Sequence, residues 1–164
     1  VRGDAALVIH TDRAVSLEGT DLKRMAERLG IGERVLLLTE ERTPRRMFEL
    51  YAAMDLFLNL SEWEGFCLPA VEAMACSLPM VTHRVQGPGE LVPYGELMAG
   101  DSVPREEGGS VLLEARPETV ARLLGRAAAD PGLRARLGAL GRAEAERRFD
   151  MSRVAGLWED LINI

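Results

Sequence analysis

The chain has 164 residues, of which 47% are hydrophobic and 28% are charged, and its formal net charge at pH 7 is −6. This is the composition of an ordinary globular protein with a sizeable core, and it argues against a disordered chain. Acidic residues and arginines are interspersed, whereas nucleic-acid binding needs clustered positive charge, so we expect no nucleic-acid partner.

The location of the protein is predicted from apolar runs and cysteines. No apolar run reaches the roughly 20 residues that a spanning helix requires, and Val1-Arg2-Gly3-Asp4 does not resemble a signal peptide. The two cysteines, Cys67 and Cys76, lack metal-ligand spacing, so we expect reduced thiols. These features favour a cytoplasmic protein, and they leave open a peripheral membrane association of a longer parent enzyme.

The predicted strands alternate with segments of helical periodicity, which is the pattern of βαβ units with parallel strands. Five strands are predicted, at residues 6–10, 35–39, 56–60, 80–83 and 110–114. Most have near-continuous apolar cores, as expected when helices cover both faces of a sheet. The predicted fold class is therefore α/β, with a Rossmann-like parallel sheet.

Apolar side chains between the strands recur at helical spacing and predict two buried helix stripes. The first stripe contains Leu22, Met25, Ala26 and Leu29, and the second contains Met47, Leu50, Tyr51 and Met54. Prolines at 44, 117 and 131 mark helix starts, because proline at the first helical position loses no hydrogen bond that it would otherwise make. Gly30 is the expected end of the first helix.

The C-terminal part of the chain is predicted to be helical, at residues 117–129, 132–148 and 152–162. The last segment is a helical tail whose apolar stripe must dock on this domain or on a partner. Residues 84–109 are expected to form one long irregular loop, and long ordered loops are more often functional than idle. Without a repeat or a linker, residues 1–164 are predicted to form a single domain.

The chemistry of the chain concentrates between a strand and a helix, where Glu62-Trp63-Glu64-Gly65 leads into a helix near Pro69. This segment lies at the carboxyl end of the predicted parallel sheet, where ligands of open α/β sheets bind. Backbone N–H groups at the start of the helix stabilise an anion such as a diphosphate, and glycine permits a close approach.

Two carboxylates accompany this helix start, Glu64 before it and Glu72 one turn into it. Carboxylates accept hydrogen bonds from hydroxyl groups, which sugars and ribose supply, so the local chemistry indicates recognition of a nucleotide sugar. Taken alone, Glu72 also fits a solvated acid that is stabilised by the helix dipole. Trp63 either packs over the loop or contacts the ligand.

Residues 64–72, EGFCLPAVE, followed by AMACSLPMV, resemble the E-x7-E donor motif of retaining glycosyltransferases with the GT-B fold, above all family 4. The resemblance extends to LGIGERVLLL, to ELYAAMDLFLNLSEWEG and to the stretch from AAADPGLRARL to SRVAGLWEDL. It implies that the chain is the donor-binding, C-terminal half of such an enzyme. The implied parent activity is transfer of a hexosyl group to an acceptor with retention of anomeric configuration, and we expect this chain alone to be inactive.

The resemblance also implies roles for individual residues. Glu64 is the candidate catalytic residue and would bond hydroxyls of the donor sugar, while Glu72 would bond the ribose. The backbone amides of Gly65, Phe66, Cys67 and Leu68 would hold the sugar and the diphosphate. Thr39 and Glu40 would lie near the base. No D-x-D sequence occurs, and the fold typically dispenses with a metal, so we expect no metal and no cofactor.

Family members carry a first strand, a Gly-Arg turn, a lysine and an acceptor-binding N-terminal domain upstream of this region, so the resemblance implies that these parts are missing. The strands at Leu7 and Leu58 would then lack their shared neighbour and expose unpaired backbone groups. We expect marginal stability, direct closure of the sheet, or strand exchange in a dimer. Two other functions stay open: an epimerase or phosphorylase of the same fold, and a non-catalytic nucleotide-binding or interaction module.

Overall fold

The computed structural model describes residues 5–15, 19–62, 64–84, 86–100, 102–107 and 110–162. The chain separates into two compact units, Val1–Met47 and Phe48–Ile164. The predictions made for Val1 to Asp4 and for Trp63 lie outside the described residues.

The first unit contains a parallel pair of strands, β1 (Leu7–His10) and β2 (Val35–Leu38), with Leu7 opposite Val35. Helix α1 (Leu22–Arg28) connects them, followed by a 3-10 turn at Gly32–Arg34. The Asp21 side chain caps α1 by accepting a hydrogen bond from the Arg24 N–H at 3.0 Å. Gly30 adopts a left-handed conformation with φ +69°, which confirms it as the residue that ends α1.

The predicted buried stripe of α1 is wrong in extent. Ala26 is buried, but Met25 is 47% exposed and Leu29 is 66% exposed. The physical reason is width: two strands about 5 Å apart offer too little surface to cover the whole apolar face of a helix. Helix α2 (Pro44–Ala52) begins with proline as predicted, and Tyr51 is the member of its stripe that is buried, while Met47, Leu50 and Met54 are half-buried.

The second unit is built on a three-stranded parallel sheet in the order β3 (Phe57–Asn59), β4 (Met80–His83) and β5 (Met98–Ala99). Leu58 lies opposite Val81, and Thr82 lies opposite Met98. All four residues of β4 are buried, as expected for a central strand. Helix α3 (Leu68–Ala75) connects β3 to β4.

The expectation that residues 84–109 form an irregular loop is wrong. They contain helix α4 (Gln86–Leu91), strand β5 and strand β6 (Ser102–Glu107). The signals were weak because α4 reads QGPGEL, which is rich in helix-breaking residues, and β5 has only two residues. Tertiary packing overrides local preference in both elements.

The predicted strand at 110–114 exists as β7 (Ser110–Ala115), but its expected place in a parallel sheet is wrong. It pairs antiparallel with β6, with Val103 opposite Glu114. Only Gly108-Gly109 separates the two strands in sequence, a length that allows a hairpin, whereas a parallel connection needs a dozen residues or more.

Three helices complete the second unit: α5 (Pro117–Ala129), α6 (Pro131–Phe149) and α7 (Met151–Ile162). Asp130 caps α6 by accepting a hydrogen bond from the Leu133 N–H at 2.8 Å. Helix α6 packs on α3, and glycine is required at the contact, because a methyl group on Gly138 would overlap the Ser77 carbonyl oxygen. The predicted tail helix is confirmed as α7, whose described side chains include none that is buried.

Among the described residues, no helix combines the length and the apolar character that crossing a membrane requires.

Candidate functional site

The start of α3 is the centre of the predicted site. Cys67 is its N-cap residue and adopts a left-handed conformation with φ +65°, and no side chain caps this helix end within the described residues. Gly65, Phe66 and Leu68 are exposed, so the positive end of the helix opens to solvent. This geometry suits an anionic group that accepts hydrogen bonds from backbone N–H groups.

Asn59, at the end of β3, fixes the turn that leads to α3. Its Nδ2 donates a hydrogen bond to the Cys67 Sγ at 3.0 Å, and its Oδ1 accepts one from the Ser61 N–H at 3.0 Å. The sequence analysis missed Asn59. Its signal was an asparagine two residues before a serine at a strand end, which is typical of an Asx turn.

The side chain of Glu64 also contacts Cys67. Burial raises the pKa of the Cys67 thiol, and the charge of Glu64 and a hydrogen bond to its carboxylate raise that pKa further, while the Ala70 backbone and the Asn59 amide oppose the shift. The thiol therefore stays protonated near neutral pH and serves as a hydrogen-bonding group that ties Glu64 to the helix start.

Gly87, at the beginning of α4, lies directly against the loop before α3. A methyl group built on Gly87 would overlap the Gly65 carbonyl oxygen and would lie 2.9 Å from the Gly65 carbonyl carbon. In contrast, a methyl group on Gly65 itself would meet no atom of the described residues within 4 Å. The loop is thus supported from one side by backbone, and the α-carbon of Gly65 faces open space.

Phe66 anchors the same loop to the end of α6. Its ring meets the Phe149 ring edge to face, with centroids 5.5 Å apart and planes at 84°. The Arg148 guanidinium lies 4.9 Å from the Phe149 centroid and donates a hydrogen bond to the Glu90 carbonyl at 3.3 Å. Helices α4 and α6 therefore meet beside the loop.

Glu72, the second predicted carboxylate, is exposed and lies one turn into α3. Its Oε2 accepts a hydrogen bond from the Tyr51 hydroxyl at 3.0 Å. Burial, a hydrogen bond to Glu72 and the charge of Glu72 all raise the pKa of Tyr51, so the phenol stays protonated. The sequence analysis had assigned Tyr51 to the core stripe alone, and a lone tyrosine at helical spacing carries no signal of this contact.

His83 ends β4 with its ring almost entirely buried. Burial lowers the pKa of His83, against smaller opposing contributions from the Leu60 backbone and from Glu62. Within the described residues, neither ring nitrogen has a partner at hydrogen-bonding geometry, so the Leu60 carbonyl acts as a nearby dipole rather than as a full acceptor. The imidazole is therefore neutral at pH 7.

Thr39 and Glu40 belong to the first unit, and the other candidate residues belong to the second. Both are exposed residues that follow β2. Thr39 lines a cavity of about 750 Å³ in that unit, and the Glu40 carbonyl lies 3.1 Å from the His10 Nε2. Their predicted role at the base stays a prediction.

The described residues contain no group of three His, Cys, Asp or Glu side chains arranged to hold a metal ion. The expectation of metal independence rests on the family resemblance and stays a prediction.

The sequence profile described as "Glycosyl transferases group 1" matches residues 16–144, which is more than half of the chain. The chain belongs to the group 1 glycosyl transferases. The D-inositol 3-phosphate glycosyltransferase of Streptomyces bingchenggensis is 32% identical to this chain over 140 residues that cover 85% of it.

Solved structures show the same fold. The sucrose-phosphate synthase of Thermosynechococcus elongatus aligns with a TM-score of 0.77 at 21% identity over 96% of this chain. HepE of Anabaena, solved in complex with UDP, aligns with a TM-score of 0.68 at 26% identity over 87% of the chain. A structure of HepE with UDP-glucose aligns at 0.62 with 27% identity. The predicted α/β fold of the GT-B type is confirmed.

These three proteins are much longer than the chain. It spans 28% of the Streptomyces protein, 37% of the sucrose-phosphate synthase chain and 36% of the HepE chain.

Proposed function

We propose that the protein binds a nucleotide-sugar donor at the start of α3 and acts in a glycosyltransferase that transfers a hexosyl group with retention. The observation that carries the proposal is the start of α3, where no side chain of the described residues caps the helix, Gly65, Phe66 and Leu68 are exposed, and Glu64 and Glu72 lie on either side. Such an end supplies backbone donors to a diphosphate, and carboxylates supply acceptors to hydroxyl groups.

In the proposed reaction, the bond between the anomeric carbon and the diphosphate oxygen breaks, the acceptor oxygen forms the new glycosidic bond, and the proton of the acceptor hydroxyl passes to the departing diphosphate or to water. Negative charge develops on the departing nucleoside diphosphate, and the fixed dipole of α3 stabilises it. Glu64 would bind hydroxyls of the sugar, and Glu72 would bind the ribose. Gly65 to Leu68 would hold the diphosphate, and Thr39 and Glu40 would contact the base.

We favour UDP as the nucleotide part of the donor. The support comes from HepE, whose structures contain UDP and UDP-glucose and which is 26% and 27% identical to this chain in the two alignments. We further propose that binding and transfer need no metal, and that the protein is cytoplasmic. Equal UDP affinity in EDTA and in magnesium would support metal independence, and a requirement for magnesium would contradict it.

Titration calorimetry of the chain with UDP, GDP and ADP tests the donor site. We expect saturable binding of one nucleotide, UDP, and a loss of affinity of about tenfold for Glu72→Ala, in line with the cost of losing one charge-assisted hydrogen bond. Glu118→Ala is the matched control, because Glu118 is an exposed acid in the first turn of α5. No binding of any nucleotide, or equal loss in both variants, would contradict the donor site.

Transfer is tested in the proposed parent glycosyltransferase, in which an acceptor-binding domain accompanies this chain, by incubating it with UDP-glucose and a panel of hydroxyl acceptors. The anomeric configuration of the product is read by proton NMR. This chain alone is expected to bind the donor without transferring the sugar. A product of retained configuration, lost in Glu64→Gln, is the expected outcome. Conversion of the sugar without any acceptor would identify an epimerase instead, and donor binding without turnover in the parent enzyme would identify a non-catalytic module.

A further inference from the structure

The carboxylate of Glu72 is tethered at one of its two oxygens. Oε2 accepts the hydrogen bond from the Tyr51 hydroxyl at 3.0 Å, and within the described residues this is the carboxylate's one hydrogen bond. A carboxylate has acceptor capacity on both oxygens, so Oε1 is left with its capacity unused.

The position of the Tyr51 hydroxyl is fixed by the packing of its ring in the core and does not depend on Glu72. Tyr51 is 7% exposed, and its ring packs edge on against Phe57 with centroids 6.0 Å apart. The ring is therefore held on the side of α2 by apolar contacts, and only its polar tip reaches α3. A phenylalanine would preserve the packing and remove the hydrogen bond alone.

The Tyr51 hydroxyl stays protonated near neutral pH, so it remains the hydrogen-bond donor to Glu72. Burial and the neighbouring Glu72 carboxylate raise the pKa of Tyr51, so the phenol keeps its proton. The proton lies on the tyrosine oxygen, and the carboxylate presents lone pairs only. The arrangement is therefore that of a buried donor that orients an exposed acceptor.

We propose that Tyr51 is a positioning residue for donor binding: it fixes Oε2 of Glu72 so that Oε1 accepts hydrogen bonds from the ribose hydroxyls. This inference rests on the proposed function, because it requires Glu72 to contact the ribose. An exposed glutamate must otherwise order three side-chain torsions when the nucleotide binds, and a carboxylate that is already oriented avoids much of that entropic cost.

The test compares UDP with 2′,3′-dideoxyuridine diphosphate, which lacks both ribose hydroxyls, by titration calorimetry. We expect Tyr51→Phe to weaken UDP binding by about 3- to 10-fold and to leave the analogue's affinity unchanged, because one orienting hydrogen bond is lost. Glu72→Gln should show the same selectivity. The double variant should bind UDP no more weakly than Glu72→Gln alone, since Tyr51 acts through Glu72.

Tyr94→Phe is the matched control. Tyr94 is the other tyrosine of the chain, it is also buried, and its hydroxyl oxygen accepts a hydrogen bond from the Met80 N–H at 2.8 Å. Removing that hydroxyl tests the general effect of losing a buried phenol oxygen, and we expect no change in the ratio of the two nucleotide affinities. Circular dichroism and thermal unfolding verify that each variant is folded.

The outcomes separate the two proposals. If Glu72→Gln is selective for UDP but Tyr51→Phe has no effect, or weakens both nucleotides equally, the positioning role is overturned and the ribose contact stands. If Glu72→Gln does not distinguish UDP from its dideoxy analogue, the ribose contact itself fails and the positioning role fails with it.

Discussion

Phe66 and Phe149 pack edge to face at a centroid separation of 5.5 Å, which joins the loop before α3 to the last residue of α6. Phe66 is nevertheless 49% exposed, so the pair lies at the surface and not in the core. The Phe66–Phe149 contact therefore acts mainly by holding the loop before α3 in position.

The Phe66–Phe149 pair predicts a measurable coupling. We expect Phe66→Leu and Phe149→Leu each to lower the free energy of unfolding, with a coupling energy of about 0.5–1.5 kcal/mol in the double-mutant cycle, as for other aromatic pairs. Urea unfolding of the four proteins measures it. Strictly additive effects would show that the rings contribute no specific interaction.

A side chain at position 87 is expected to clash with the loop before α3. Gly87→Ala places a methyl group against the backbone of Gly65, which cannot rotate away as a side chain does. We expect a loss of about 1–3 kcal/mol in the free energy of unfolding, typical of overpacking, and weaker binding of UDP. Thermal unfolding and calorimetry measure the two effects.

The control for this substitution is Gly125→Ala in α5, where an added methyl group meets no described atom within 4 Å. Alanine in a helix interior is favoured over glycine by about 0.5–1 kcal/mol, so Gly125→Ala should be neutral or stabilising. Similar destabilisation in both variants would remove the steric explanation.

At Cys67, the left-handed backbone is expected to destabilise the folded protein and the thiol contacts to stabilise it. Cys67→Ala keeps the left-handed φ of +65° and removes the thiol contacts with Asn59 and Glu64, so it should destabilise the protein. Cys67→Gly removes the same contacts and also relieves the backbone strain, which costs about 1–2 kcal/mol for residues other than glycine. Cys67→Gly should therefore be the more stable of the two in urea unfolding, and the reverse order would show that the turn is unstrained.

His83 predicts a loss of stability in mild acid. Its pKa in the folded protein is lowered by burial, so the unfolded chain binds more protons below the ordinary histidine pKa of about 6.5, and stability falls as the pH drops through that value. The slope for one proton is at most about 1.4 kcal/mol per pH unit. Urea unfolding at pH 7.5 and 5.5 should show this loss in the native chain and a smaller one in His83→Gln. An unchanged pH dependence in that variant would assign the loss to other groups.

Much of the fold could be predicted from local rules. The apolar run at β4 and the prolines at 44, 117 and 131 correspond to observed elements, because burial and helix starts are encoded by neighbouring residues. Strand β5 and helix α4 could not be predicted, since their stability depends on packing that brings distant segments together. The predicted parallel pairing of β7 is wrong for a related reason: the sequence of β7 specifies a strand but not which strand it pairs with.

In the candidate site, too, features carried by neighbouring residues could be predicted and contacts between distant residues could not. The segment from Glu64 to Glu72 could be singled out because a family resemblance is carried by one contiguous stretch of sequence. The contacts of Asn59 with Cys67 and of Tyr51 with Glu72 were not visible, because each joins residues from different elements. In the sequence, Asn59 looks like any asparagine at a strand end and Tyr51 like any apolar residue of a helix stripe, so nothing marks them as residues that orient another side chain.

Helix α6 has a mechanical consequence through its length. It is one uninterrupted helix of 19 residues that rests on Ser77 at Gly138 and reaches Phe66 at Phe149. Between these two points the helix also touches α3, at Gly141 beside Met74 and through the hydrogen bond that Arg142 donates to the Ala75 carbonyl at 2.8 Å. Because one continuous helix joins these contacts, the C-terminal end of α3 and the turn before α3 are braced by the same rigid element.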